Sequence, residues 1–86
     1  RQTFAQVEPG KYRVNGRLSI RRWNEYLDSE LPADKIGTLG GFVSLLLEKL
    51  PQPGDTAVYK NLKFSVLTVA SRRPQEILVE LLSDDR

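Results

Sequence analysis

"TLGGFVSLLLEKLPQPGD", residues 38–55, decides how this chain is built. Thr38 carries a hydroxyl that can cap a helix start. After it, Leu39, Val43, Leu46, Leu47 and Leu50 fall on one face at helical spacing, and Phe42 and Leu45 widen that face to one side. Only Ser44, Glu48 and Lys49 are clearly left for water. The spacing predicts a helix over residues 39–50, with a stripe wide enough to need a sheet beneath it and a second helix at its flank. Pro51 and Pro53 remove backbone donors, and Gly54-Asp55 supports a sharp reversal, so the helix must stop there.

Two glycines weaken the start of this helix, at roughly 1 kcal/mol each relative to alanine. Bare backbone here serves one of two ends. The N–H groups of a helix start can meet an anion, which makes Thr38, Gly40 and Gly41 candidate ligands for an anionic small molecule or nucleotide. Alternatively, another backbone comes too close for a Cβ. A phosphate loop needs Gly-x4-Gly-Lys-Ser/Thr after a strand, and no Lys follows Gly41. Close packing is therefore the expected role, and Gly41→Leu is expected to overpack the site.

Working outward, "TAVYKNLKFSVLTVAS" (56–71) alternates around Lys60-Asn61 and predicts two strands joined by a turn there. "RRPQ" (72–75) reads as a further turn and "EILVELL" (76–82) as the last strand, with Ile77, Val79 and Leu81 on one face. Toward the N-terminus, Asn15-Gly16 sits between two apolar-polar alternations and predicts a tight hairpin, with Tyr12, Val14, Leu18 and Ile20 on one face. Ser19 can cap a first helix over residues 20–29, in which Ile20, Trp23 and Leu27 recur at helical spacing and Trp23 anchors the core. Residues 31–37 read as a loop, 1–10 as a linker from a preceding domain, 11–82 as the folded domain and 83–86 as a polar tail. The fold class is α+β: a mixed, mainly antiparallel sheet with two helices packed on one face.

With 86 residues, this is one domain with a modest core. No apolar run approaches the roughly 20 residues that a membrane helix needs. Cys and His are both absent. That excludes disulfides, thiol nucleophiles, Ser-His-Asp catalysis and the usual transition-metal ligands. No catalytic residue is assigned, no cofactor is expected, and the scattered acids give no oxygen cage for a metal. The net charge of +2 comes from 13 basic and 11 acidic residues with interspersed signs. Arg13, Arg17, Arg21 and Arg22 form the densest basic cluster and a candidate partner surface; Arg72 and Arg73 form a second pair. No basic stripe is interleaved with free aromatics, so nucleic acid is not an expected partner.

In order along the chain stand Tyr12-x-Val14-x-Gly16, a short helix, Thr38-Leu39-Gly40-Gly41, a Leu-rich helix, "LPQPGD" (50–55), "YKNLKFSVL" (59–67) and an Arg-led final strand. This series, over residues 11–82, resembles the CorC/HlyC transporter-associated domain. The resemblance makes Thr38, Gly40, Gly41, Pro51, Gly54 and Asp55 signature positions, while Pro74 departs from the pattern in the last turn. It implies a fold similar to a subdomain of flavin-binding oxidoreductases, without implying flavin. It also implies an accessory domain without catalysis, following transmembrane and CBS domains on the cytoplasmic side of a membrane protein. Such proteins are described as magnesium and cobalt efflux or hemolysin-like proteins. The domain would modulate ion transport through contacts with those domains or with a second copy of the chain.

Overall fold

Apolar side chains at every second position of four strands meet the apolar faces of two helices, and this contact is the core. The computed structural model describes residues 4–27 and 29–82. In chain order these are β1 (Phe4–Glu8), β2 (Lys11–Asn15), α1 (Ile20–Leu27), α2 (Leu39–Leu47), β3 (Thr56–Tyr59), β4 (Leu62–Ala70) and β5 (Arg73–Leu81). The sheet order is β1-β2-β5-β4-β3, and every described pair is antiparallel. The expected α+β class holds, with the sheet antiparallel throughout the described strands rather than mixed.

Tyr12, Val14, Leu62, Phe64, Val66, Ile77 and Val79 are buried on the sheet's covered face. Trp23 of α1 meets Tyr12 edge-on at 5.7 Å, and Phe42 of α2 meets Phe64 at 5.9 Å and Tyr59 at 5.1 Å. Both helices thus lie on one face. Strand alternation sends Lys11, Arg13, Leu78, Glu80, Lys63 and Val58 to the other face, which carries no helix. There Lys11 stands 3.8 Å from Glu8 and 3.6 Å from Glu80, exposed pairs that add little stability.

Four expectations change. The segment read as a linker instead supplies an edge strand: Phe4 pairs with Val14 and Glu8 with Lys11, through a bulge at Val7. Residues 1–3 and the tail 83–86 lie outside the described residues. The hairpin turn is not at Asn15-Gly16 but at Pro9-Gly10, where Gly10 adopts φ +78°. Both dipeptides are turn formers, and only Arg17, Leu18 and Ser19 separate Gly16 from the start of α1, too few for a paired strand. After β2 the Asn15 side chain accepts from the Arg17 N–H at 2.8 Å and bends the chain into α1.

The second helix stops at Leu47, three residues early. Glu48 takes a left-handed conformation and its N–H donates to the Ser44 carbonyl at 3.1 Å. Leu50 therefore lies beyond the helical period and is exposed, as is Leu45; Leu39, Phe42 and Val43 form the buried stripe. Finally, the last turn is Ser71-Arg72, both at positive φ (53° and 66°), and β5 starts at Arg73 with Pro74 inside it. A proline is tolerated there because β2 pairs with β5 only from Glu76 onward and the ladder with β4 is bulged nearby.

The exit after α2 is held by Asp55. Its carboxylate accepts from the Gln52 N–H at 2.8 Å and faces Lys49 Nζ at 3.1 Å. Gly54, at φ +97°, donates to the Val66 carbonyl, and the Val66 N–H donates to the Asp55 carbonyl, each at 2.8 Å. Gly54 and Asp55 thus fasten the loop to β4, and Pro51 beside them is buried. The Gln52 N–H, and after it Lys49, hold the Asp55 carboxyl below its ordinary value of 3.8. A lowered folded pKa stabilises the fold above 3.8, and that contribution is lost as pH falls through the folded value. Asp55→Asn should flatten the acid limb of a stability–pH profile measured by urea unfolding. An unchanged acid limb would remove Asp55 from this role.

Candidate functional site at the start of the second helix

Thr38, Gly40 and Gly41 open α2, where four backbone N–H groups lack helical partners by construction. Beyond the first helical bond, from the Phe42 N–H, three of them have internal partners. The Leu39 N–H donates to the Leu18 carbonyl at 3.0 Å and the Gly40 N–H to the Gly16 carbonyl at 2.8 Å. The Gly41 N–H donates to the Thr38 hydroxyl at 3.1 Å, and the Phe42 N–H to the Thr38 carbonyl at 3.0 Å. An anion binding the Leu39, Gly40 or Gly41 N–H would have to displace one of these bonds, which tells against Gly40 and Gly41 as anion ligands.

Close packing explains the site instead. A Cβ on Gly40 would stand 2.9 Å from the Gly16 carbonyl oxygen and 3.2 Å from that of Pro74. On Gly16 it would stand 2.0 Å from the Pro74 oxygen. Gly16 in turn donates its N–H to the Gln75 carbonyl at 2.8 Å. Three backbones, the end of β2, the start of α2 and the start of β5, thus converge without side chains between them. Gly41 is different: it is exposed, and its Cβ would meet only the Ile36 methyl and Thr38 hydroxyl, both at 3.2 Å. The overpacking expected of Gly41→Leu would therefore press on these two side chains and not on a neighbouring backbone.

Ser19 and Thr38 form an isolated antiparallel bridge, so the two helix caps lie side by side. The Ser19 hydroxyl accepts from the Arg22 N–H at 3.0 Å and caps α1 as expected. Between the helices, Asn24 fastens the loop: its amide donates to the Leu31 carbonyl and its Oδ1 accepts from the Leu31 N–H, both at 2.9 Å.

The four arginines of the candidate surface do not form one patch. Arg13 lies on the bare face of the sheet, in register with Ala5 and Leu78, while the helices cover the other face. Arg17, Arg21 and Arg22 stay together around the start of α1, and the fold adds Arg72 and Arg73, which the sequence shows only as a separate pair. Their juxtaposition depends on Pro74 packing against Gly16, a contact across most of the chain that no local spacing reveals.

A cleft of about 350 Å³ lies at the opposite end, lined by Leu27, Leu31, Tyr59, Lys60, Leu62 and Leu81 among others. Ser29, Glu30 and Asn61 also line it, and the Ser29 hydroxyl is turned to Asn24, donating to its Oδ1 at 2.7 Å. Among the described residues, no group of three or more His, Cys, Asp or Glu side chains could hold a metal ion. None of their helices is long and apolar enough to cross a membrane.

Comparison with known proteins agrees with this architecture. Residues 5–83 match the family model of the transporter associated domain, CorC/HlyC. A UPF0053 protein of Synechocystis sp. is 38% identical over 84 residues, 93% of this chain, and the chain spans only 19% of that relative's length. The transporter associated domain from a CBS domain protein of Porphyromonas gingivalis is 31% identical, with a TM-score of 0.82 over 95% of this chain and 100% of that one. A hemolysin domain from Enterococcus faecalis superposes with a TM-score of 0.87 at 23% identity, over 95% and 100% of the two chains. The family match spans nearly the whole chain and the sheet and helices follow the same plan, so the chain belongs to the CorC/HlyC transporter associated domain family.

Proposed function

We propose that this domain is a non-catalytic accessory of a membrane ion transporter, acting on the cytoplasmic side through contacts with neighbouring domains or a second copy. The family match over residues 5–83 carries this reading. The relative from a CBS domain protein supports a parent with CBS domains. The molecule itself supports contact over chemistry. With neither His nor Cys, it offers no thiol or Ser-His-Asp chemistry, and the Gly40 and Gly41 N–H groups at the helix start are engaged internally. Its sheet leaves one face bare, with Val58 exposed at the β3 edge and Arg13 and Leu78 in its middle rows. By resemblance, the transported ion is a divalent cation such as magnesium or cobalt.

The test is a deletion of the domain from its full-length parent. Ion flux per inserted transporter should change severalfold while membrane insertion of the remainder persists. Unchanged flux with unchanged assembly would remove the modulatory role.

A further inference from the structure

Five arginines that the sequence separates are gathered at one end of the molecule, and we propose that this end lies against an anionic membrane surface. Arg17 follows Gly16, whose backbone packs on Pro74, and Arg72 and Arg73 immediately precede that proline. Arg21 and Arg22 open α1, whose cap residue Ser19 bridges to Thr38 at the start of α2. The ends of β2 and β4 and the starts of β5, α1 and α2 therefore share one pole, and all five arginines on it are exposed. None of the five makes an ion pair within 4.0 Å among the described residues, where the cations that do are Lys11 and Lys49. Glu76, two residues beyond Pro74 on β5, is the nearest acid along that strand; it lies opposite Asn15 toward the bare face.

The form of the pole selects the partner. A single small anion needs a built pocket, and here the backbone donors of α2 are already engaged with Gly16, Leu18 and Thr38. An acidic peptide needs a groove, and the cleft lies at the other pole, beside the Lys60-Asn61 turn and Leu81. Single-stranded nucleic acid needs stacking platforms, yet Tyr12 and Trp23 are buried in the core. What remains is a broad surface of long, exposed cations, with Glu25 one turn further along α1, which suits a plane of many anionic headgroups. The described chain also enters at this pole, since Phe4 pairs with Val14, and leaves at the other, where the Leu82 N–H donates to the Asn61 carbonyl at 2.7 Å. The inference rests on the transporter reading for the presence of a membrane, but its test does not.

The 86-residue chain should co-sediment with phosphatidylcholine vesicles containing phosphatidylglycerol, and not with phosphatidylcholine alone. Binding should fade as salt approaches about 1 M, where the screening length is about 3 Å. Arg21→Glu with Arg22→Glu, and separately Arg72→Glu with Arg73→Glu, should each lower partitioning at least about tenfold. The neutral pair Arg72→Gln with Arg73→Gln should give a smaller loss, which guards against a folding artefact. Lys60→Glu with Lys63→Glu, the same charge change away from the pole, should lower it far less. No binding to the anionic vesicles, or an equal loss from the lysine pair, overturns the proposal. Either result would leave the accessory role standing, because that role is read by flux in the full-length parent.

Discussion

Gly16→Ala should cost the domain about 4 kcal/mol, close to the whole stability of a marginal fold of this size. Its Cβ would stand 2.0 Å from the Pro74 carbonyl oxygen, a contact that only backbone movement can relieve. Moving either strand strains two hydrogen bonds, Gly16 N–H to Gln75 and Gly40 N–H to Gly16, both 2.8 Å long. Each contributes about 1 kcal/mol, added to an overpacking cost of about 1–3 kcal/mol. Gly40→Ala meets the Gly16 and Pro74 carbonyl oxygens at 2.9 and 3.2 Å but gains about 1 kcal/mol of helix propensity, so its net cost should be about 1 kcal/mol. Gly41→Ala gains the same propensity against neighbours that can shift, and should be close to neutral. Urea unfolding followed by circular dichroism orders the three. Equal costs, or a neutral Gly16→Ala, would show that the three backbones do not converge as described.

This ordering also marks what could be seen in the sequence. The glycine pair points to a close backbone, and Gly40 alone of the two meets one. Which backbone comes close is a long-range fact: Gly16 reads as a turn residue, and Pro74 as a stiffener of the following turn. Both are instead the walls of one contact. Patterns with a short physical range were legible for the same reason. Thr38 and Ser19 cap their helices as their hydroxyls suggest, and the Lys60-Asn61 turn joins β3 to β4. Patterns with competing local solutions were not. Pro9-Gly10 and Asn15-Gly16 are both hairpin formers, and pairing of Phe4–Glu8 with β2 settles the choice. The five-arginine pole belongs with the glycine contact, since it exists only once β5 has packed beside the end of β2.

Replacing Trp23 by alanine should cost about 3–5 kcal/mol and release the first helix before the sheet. Ile20 and Trp23 are the buried residues of this eight-residue helix, so most of its attachment passes through one indole. An isolated helix of that length is unstable in water, and without the indole α1 is left with Ile20 and the edge contact of half-exposed Tyr26 on Tyr12 at 6.0 Å. The ring also meets Tyr12 edge-on at 5.7 Å and 85°, a pairing that adds about 1 kcal/mol beyond its buried area. Against these gains stands one cost: Trp23 Nε1 is buried without a hydrogen-bond partner among the described residues. An unmade donor of this kind costs about 1–3 kcal/mol. Trp23→Phe removes that donor while keeping an aromatic ring against Tyr12, so it should cost much less than its lost volume suggests, below about 2 kcal/mol. Hydrogen exchange distinguishes the steps. In Trp23→Ala the amides of α1 should lose protection while those of β4 and β5 keep theirs; in Trp23→Phe both should remain protected. If phenylalanine proves as damaging as alanine, the indole N–H has a partner after all, and the attachment of α1 is polar as well as apolar.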